Sequence, residues 1–207
     1  MSKGPRPEPP FDELVARTDG LQPWRRVVHL AFGSGIAWIV YVLSPASSST
    51  RWLFGASLAI VLVGDFVRLR SEAVNRLFFR AFSALVSPRE AESMGLPWYM
   101  LGVFVVLWLA GGTFAVPSIL VLAVADPAAG TVGRLWGKHP LGKGTWEGTS
   151  AFFLIAVAVL MPFVGIWIAV PVATLVAGVE ILPTDLDDNL VIPITTAVGL
   201  WVMATVA

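Results

Sequence analysis

Apolar residues in this chain come in long blocks separated by short polar, glycine- and proline-bearing breaks. Blocks of this length read as helices that cross a bilayer, each needing about 20 residues. The first predicted span covers residues 27–43 and the second 52–67, joined by the Ser/Pro-rich turn 44–51. The third, 98–110, turns at Gly111-Gly112-Thr113 into the fourth, 114–130, which carries Pro117 and Pro127. Apolar sequence resumes over 151–182, too long for one span and short for two. Pro162, Gly165 and Pro171 interrupt it, which predicts two short helices with a tight turn. The seventh span is 190–206.

Residues 71–88 have a different pattern. Val74, Leu77, Phe78, Ala81, Phe82 and Leu85 recur at helical spacing, with Asn75, Arg76, Arg80 and Ser83 on the opposite face. Such a helix lies in the membrane interface. It either packs the bundle from outside or covers a lateral opening for a lipid. The expected architecture is therefore all-α: a polytopic integral membrane protein of about seven transmembrane helices plus one interfacial amphipathic helix.

Composition agrees. Of 207 residues, 14% are charged and mean hydropathy is +0.76, against about a quarter charged in soluble domains. No space remains for a large soluble domain beside the spans. The expected division is a cytoplasmic N-terminal tail, 1–24, and one membrane-embedded catalytic domain, 25–207. The tail holds five prolines and lacks the early apolar core of a signal peptide, so it reads as mostly disordered with a short helix near 11–17. Cysteine is absent, which excludes disulfide and thiolate chemistry. A net charge of zero gives no indication of a nucleic-acid partner.

The placement of charge says more than its sum. With seven spans and the N-terminus inside, 13 of the 14 Lys and Arg residues fall on inner segments, and only Arg51 falls outside. That is the bias expected of cytoplasmic loops. The same count puts the acidic turn Asp185-Leu186-Asp187-Asp188 on the inner side, facing the basic loop after the fourth span. A six-span arrangement would separate the two. The nine tryptophans lie mostly near predicted span ends, as interfacial anchors do.

Candidate chemistry centres on residues 125–148. Asp126 sits inside apolar sequence, where an ionisable group is costly and marks function by default. Arg134, Lys138 and Lys143 follow, interleaved with Gly130, Gly133, Gly137, Gly142, Gly144 and Gly148. Glycines admit backbone N–H groups close to an anion, and Arg and Lys supply charge. The stretch reads as a phosphate-binding loop at a membrane surface. Residues 137–144 nearly match the phosphate loop of soluble nucleotidases. Gly144, however, replaces its magnesium-binding hydroxyl, and an apolar span stands where a strand is required.

Three further groups are placed on the same side. They are Thr145 with Glu147; Glu180 with Asp187, Asp188 and Asn189; and Asp65 with Arg68. Carboxylates beside cationic phosphate-binding groups suggest Mg²⁺ held between protein and nucleotide phosphates. Metal, cationic clamps and a base are what phosphoryl transfer requires. Asp126, Glu180, Asp187 and Asp188 are the candidate metal ligands; Asp126, Asp188 and Arg134 the candidate catalytic groups. The acidic turn also fits a solvated loop, and His29, one turn into the first span, fits a hydrogen-bonded structural histidine.

At these residues the chain resembles the CTP-dependent polyprenol kinases, which comprise dolichol kinase, phytol kinase and CTP-dependent diacylglycerol kinases. The resemblance covers most of the chain after Arg25. It rests on Arg26-Val27-Val28-His29 with Gly33, on Asp65 and Arg68, on 126–137, on Glu147-Gly148, and on Asp187-Asp188-Asn189-Leu190 with Pro193. It implies a membrane kinase that phosphorylates an isoprenoid or lipid alcohol, with CTP as donor. Two positions depart from the family pattern. Gly144 stands where Lys usually precedes the Ser/Thr of its motif, and Leu135 where a second basic residue often follows Gly-Arg. Phosphatidate cytidylyltransferases are similar over 126–148, but their late His-Gly-Gly and Asp-Arg-x-Asp signature is missing here. A transporter of an anionic lipid or nucleotide would fit broken helices and buried charge. Against it, the chain has no clear internal repeat, and its charges gather at one face.

Overall fold

A computed structural model describes residues 10–18, 23–91 and 95–206. The predicted disorder of the tail falls largely on positions 1–9 and 19–22, outside the described residues. Within the tail, the expected short helix is present as α1, Phe11–Ala16.

The apolar blocks fold as helices α2 (Pro23–Val42), α3 (Ser48–Arg70), α5 (Leu96–Trp108), α6 (Ala115–Trp136), α7 (Trp146–Val164), α8 (Ile166–Glu180) and α9 (Asp188–Val206), with the amphipathic α4 (Glu72–Ala81) after α3. Among the described residues four helices, α3, α6, α7 and α9, are long and apolar enough to cross a membrane. α5 and α8 are equally apolar but shorter, at 13 and 15 residues. The 151–182 block does divide in two, and the break is Gly165 alone. Its φ of +73° ends α7, a conformation open to glycine. Pro162 and Pro171 stay inside helices.

α6 is the central post, flanked by α2, α7 and α9. Ala115, Ile119, Val121, Leu122, Ala123 and Ala125 are all fully buried along it. The chain reverses at each turn, so the loops gather at two ends. At one end, the Arg51 guanidinium donates to the Gly111 carbonyl (2.9 Å), joining the α2–α3 and α5–α6 turns. At the other, the α6–α7 connection meets the α8–α9 turn, where the Lys143 amide donates to the Ile181 carbonyl (3.0 Å). The acidic turn thus does face the basic connection.

Two expectations change. The fourth span does not give way to a loop at Gly130, because α6 continues to Trp136 and Gly130, Gly133 and Arg134 are helical. Pro127 does not stop it, since a proline within a helix removes only one donor when packing holds the rest. In α4, Asn75 is not on the outer face. It is buried with Phe79, while Val74, Leu77 and Phe82 of the expected apolar face are exposed. The reason is Arg68, at the end of α3, whose guanidinium donates to Asn75 Oδ1 (2.9 Å) and sits over the Phe78 ring. Asn75 in turn donates to the Ala91 carbonyl (3.0 Å). The apolar side left open is the side an interfacial helix offers to lipid.

Candidate active site at the base of the central helix

The glycines of α6 explain its shape. Asp126, Gly130, Gly133 and Gly137 are spaced four, three and four residues apart, one stripe on a helix of 3.6 residues per turn. This stripe is a packing seam rather than an anion loop. Gly148 of α7 lies against it, so close that a Cβ there would stand 2.9 Å from the Ala129 carbonyl and 3.3 Å from Gly133 Cα. A Cβ on Gly130 would lie 3.4 Å from the guanidinium of Arg26, which occupies that gap from α2. Small residues let the neighbours in, and a charged side chain uses the space.

Asp126 is the centre of what gathers there. Its Oδ2 is 3.9 Å from Nε2 of His29, which also lies 3.3 Å from the Leu122 carbonyl. His29 is therefore both the hydrogen-bonded structural histidine and a partner of the candidate site. The electrostatic neighbours of Asp126 are His29, Asp188, Arg25 and Asp187. Those of Arg26 are Arg134, Asp126 and Arg25, and those of Glu180 include Asp126, Asp188 and Lys143. Asp126, Glu180, Asp187, Asp188, Arg134 and Lys143, far apart in sequence, share one region.

Lys143 reaches it by a local device. Pro140–Leu141 and Gly144–Thr145 pair antiparallel, leaving a two-residue hairpin turn of Gly142 and Lys143. Gly142 has φ +55°, as such turns require, and its Cα abuts the Ile181 carbonyl closely enough that no Cβ would fit. Gly144 completes the strand pair, and the ammonium of Lys143 at the turn bonds Asp188 Oδ1 (2.5 Å). The lysine displaced by one residue from the family pattern is thus placed by the turn.

Asp187 caps α9: its Oδ1 accepts from the Asn189 amide (2.9 Å), and the Asn189 side chain bonds it as well. Burial pushes its carboxyl above the ordinary range, against the pull of these bonds, and the neighbouring Asp188 adds to the rise.

Other predicted residues lie elsewhere or act locally. Thr145 caps α7, its Oγ1 accepting from the Gly148 amide (3.1 Å). Glu147 bonds Nδ1 of His139 (2.7 Å), the residue just before the hairpin. Lys138 joins the end of α6 to that hairpin. Asp65 pairs with Arg68 (2.6 Å), and with Asn75 this forms a buried lock between α3 and α4. Among the described residues no three His, Asp or Glu side chains form a metal cage.

Reasoning from sequence overlooked Arg25 as a site residue and gave Arg26 only a motif position. It did not consider Tyr99. A buried Arg26 nitrogen, Nη1, has no hydrogen-bond partner among the described residues. The signal for Arg26 was the basic pair at the start of a span, which orientation alone also explains. A cavity of about 590 Å³ between α7 and α8, lined by Trp146, Phe153, Leu154, Ala177 and Ile181, is mainly apolar.

The chain is 30% identical over 162 residues to a CTP-dependent diacylglycerol kinase of Schizosaccharomyces pombe, covering 68% of this chain and 74% of that protein. It is 29% identical over 191 residues to a phytol kinase of Synechocystis, covering 86% and 77% respectively. A CTP-dependent diacylglycerol kinase of Saccharomyces cerevisiae is 26% identical over 149 residues, and the match spans about half (51%) of that longer protein and 70% of this chain. No family model and no solved structure matches the chain.

Proposed function

Since this chain belongs to the family of CTP-dependent lipid kinases, we propose that it transfers the γ-phosphoryl group of CTP to the hydroxyl of a lipid alcohol, a diacylglycerol or an isoprenoid alcohol. One observation carries the reading. The carboxylate of Asp126, inside an apolar helix, meets Arg25, Arg26 and the Lys143–Asp188 pair at one end of the bundle. A phosphoryl-transfer site needs a proton acceptor and cations that neutralise phosphate charge, with the acceptor hydroxyl in line with the phosphorus.

Arg26 and Arg134, electrostatic neighbours despite their like charge, are an anion seat. Two guanidiniums held together are mutually costly until phosphate stands between them. Asp126 takes the role of base. Asp188 suits it less, because its carboxylate is already engaged by Lys143. The lipid hydroxyl gives its proton to Asp126 as its oxygen bonds the γ-phosphorus, and the bond from that phosphorus to the bridging oxygen breaks, releasing CDP.

Four neighbouring carboxylates, Asp126, Glu180, Asp187 and Asp188, repel one another and offer hard oxygen donors, which fits Mg²⁺. Without a closed protein cage, the fit is to a cation held by one or two of Asp187, Asp188 and Glu180 together with substrate phosphates. When bound, it would offset phosphate charge.

The same reading extends to the membrane. α2, α3 and α5 to α9 each cross as the seven spans, and residues 25–207 act as one catalytic domain behind the tail 1–24. The N-terminus and the site-bearing loops face the cytoplasm, as the Lys/Arg bias favours. α4 lies in the interface with Val74, Leu77 and Phe82 toward lipid.

The test is the fate of two labels. Purified protein with diacylglycerol or phytol should move label from γ-labelled CTP into lipid and release CDP. A cytidylyltransferase would instead move α-label into lipid and release pyrophosphate, and that outcome would replace the kinase reading.

A further inference from the structure

Tyr99 is 3% exposed, and its hydroxyl has no hydrogen-bond partner among the described residues. An unmade hydrogen bond of this kind is costly, so buried hydroxyls are nearly always paired. The surroundings are specific. The Tyr99 ring meets the edges of His29 (centroids 5.4 Å apart) and Phe32 (5.8 Å). Gly33 leaves the place for the hydroxyl, since a Cβ there would overlap it. Asp126 is an electrostatic neighbour of the phenol. An unpartnered donor is thus built in beside the His29–Asp126 pair.

The access also has a direction. α2 buries only Gly33, Ile36, Ala37 and Val40, a single stripe against α6. α3 buries nothing between Leu58 and Arg68. At the site end, α2 and α3 therefore leave apolar side chains exposed, and Phe32, itself 43% exposed, is in ring contact with Tyr99.

We propose that Tyr99 positions the acceptor: its phenol donates a hydrogen bond to the hydroxyl oxygen of a lipid alcohol that enters past Phe32, turning the alcohol proton toward Asp126. This rests on the kinase reading for its chemistry. An alcohol both accepts and donates, so it satisfies the Tyr99 donor and the Asp126 acceptor together. Tyr99 keeps its own proton throughout. The alcohol proton goes to Asp126, the new oxygen–phosphorus bond forms, and CDP leaves. The recognised class is a lipid with a free hydroxyl. An alkane, or a lipid whose every hydroxyl is esterified, lacks the group that Tyr99 addresses.

The test uses the full-length chain and its Tyr99→Phe variant, which keeps the ring and removes only the donor. The expected result is a KM for the lipid alcohol raised about tenfold, the effect of one hydrogen bond, with KM for CTP and melting temperature unchanged. In equilibrium binding without nucleotide, wild type should prefer hexadecanol to hexadecane, and the variant should lose that preference. An unchanged lipid KM overturns the proposal. So does a parallel rise in both KM values with a lower melting temperature, which would mark a structural tyrosine satisfied by water. A wild type that binds hexadecanol no better than the variant overturns it whether or not turnover is seen. Preference for hexadecanol that depends on Tyr99, without any phosphoryl transfer, would keep the tyrosine's role and remove the kinase reading instead.

Discussion

Lys143 and Asp188, 45 positions apart, are joined by an ion pair of 2.5 Å that ties the hairpin after α6 to the first residue of α9. Both side chains are about one-third exposed, so the pair adds little to stability; exposed pairs contribute about 0–1 kcal/mol. In the proposed site it holds a cation beside the carboxylates. Lys143→Met should leave the melting temperature within about 3 °C of wild type, the shift expected from ~1 kcal/mol in a chain of this size. It should lower kcat/KM for CTP about tenfold, through loss of one charge-assisted contact. Thermal melts in detergent and label transfer from γ-labelled CTP measure the two. A loss of stability with unchanged CTP kinetics would make the pair structural.

Asp126 and Arg134 should separate by role. Asp126→Asn keeps shape and removes the proton acceptor, which should lower kcat by about 10² to 10⁴ with the fold retained. If Arg134 forms the proposed anion seat with Arg26, Arg134→Ala should cost roughly 3 kcal/mol, about a hundredfold in turnover, without loss of expression. Turnover assays on variants with matched melting curves check both. Equal CTP affinity in Arg134→Ala and wild type, with kcat reduced, would confine the arginine to the transition state.

Legibility from sequence followed the physics of each feature. The helices were readable because long apolar blocks are a strong signal, four of them among the described residues long and apolar enough to cross a membrane, and the α7–α8 break because Gly165 supplies a positive φ. Asp126, Glu180 and the Asp187–Asp188 pair stood out as charges in or beside apolar sequence. The glycines misled, since a stripe for helix packing and a loop for phosphate share one composition. Only the continuation of α6 through Gly133 to Trp136 tells them apart. Glu147 and Asp65 were grouped by side of the membrane, whereas hydrogen bonds to His139 and Arg68 decide where they point. Tyr99 gave no signal, because an aromatic at a span end reads as an anchor. What distinguishes it is the space left by Gly33, 66 positions away.

Asp187 predicts a pH dependence. Burial raises its folded carboxyl above the unfolded value of about 4, so between those values the folded state holds more protons than the unfolded. Unfolding then releases protons, and stability should fall as pH rises from about 4 through the raised value. Asp187→Asn keeps an oxygen to accept from the Asn189 amide and removes the titration. Its melting temperature should therefore exceed that of wild type increasingly across this window. Asp187→Ala loses the cap and should be less stable than Asp187→Asn by about 1 kcal/mol at every pH. Melting temperature against pH for the three proteins measures this, and parallel curves for wild type and Asp187→Asn would refute it.

The direction of the bundle can be tested without activity, because the chain has no cysteine to remove. The α2–α3 turn lies at the end where Arg51 bonds the Gly111 carbonyl, and the exposed Asp185 lies at the end that holds Lys143 and Asp188. If the helices between them cross a bilayer, these points are on opposite sides. The proposed orientation, drawn from the Lys/Arg bias, puts Asp185 on the cytoplasmic side. Single cysteines at Ser48 and Asp185 should react with a membrane-impermeant maleimide from opposite faces of sealed cells or right-side-out vesicles. Ser48→Cys should label from outside without lysis, and Asp185→Cys only after lysis. Labelling of both from one face would break the alternation that places the basic and acidic segments together. Labelling from opposite faces in the reverse sense would keep the bundle but put the candidate site outside, away from a cytoplasmic pool of CTP.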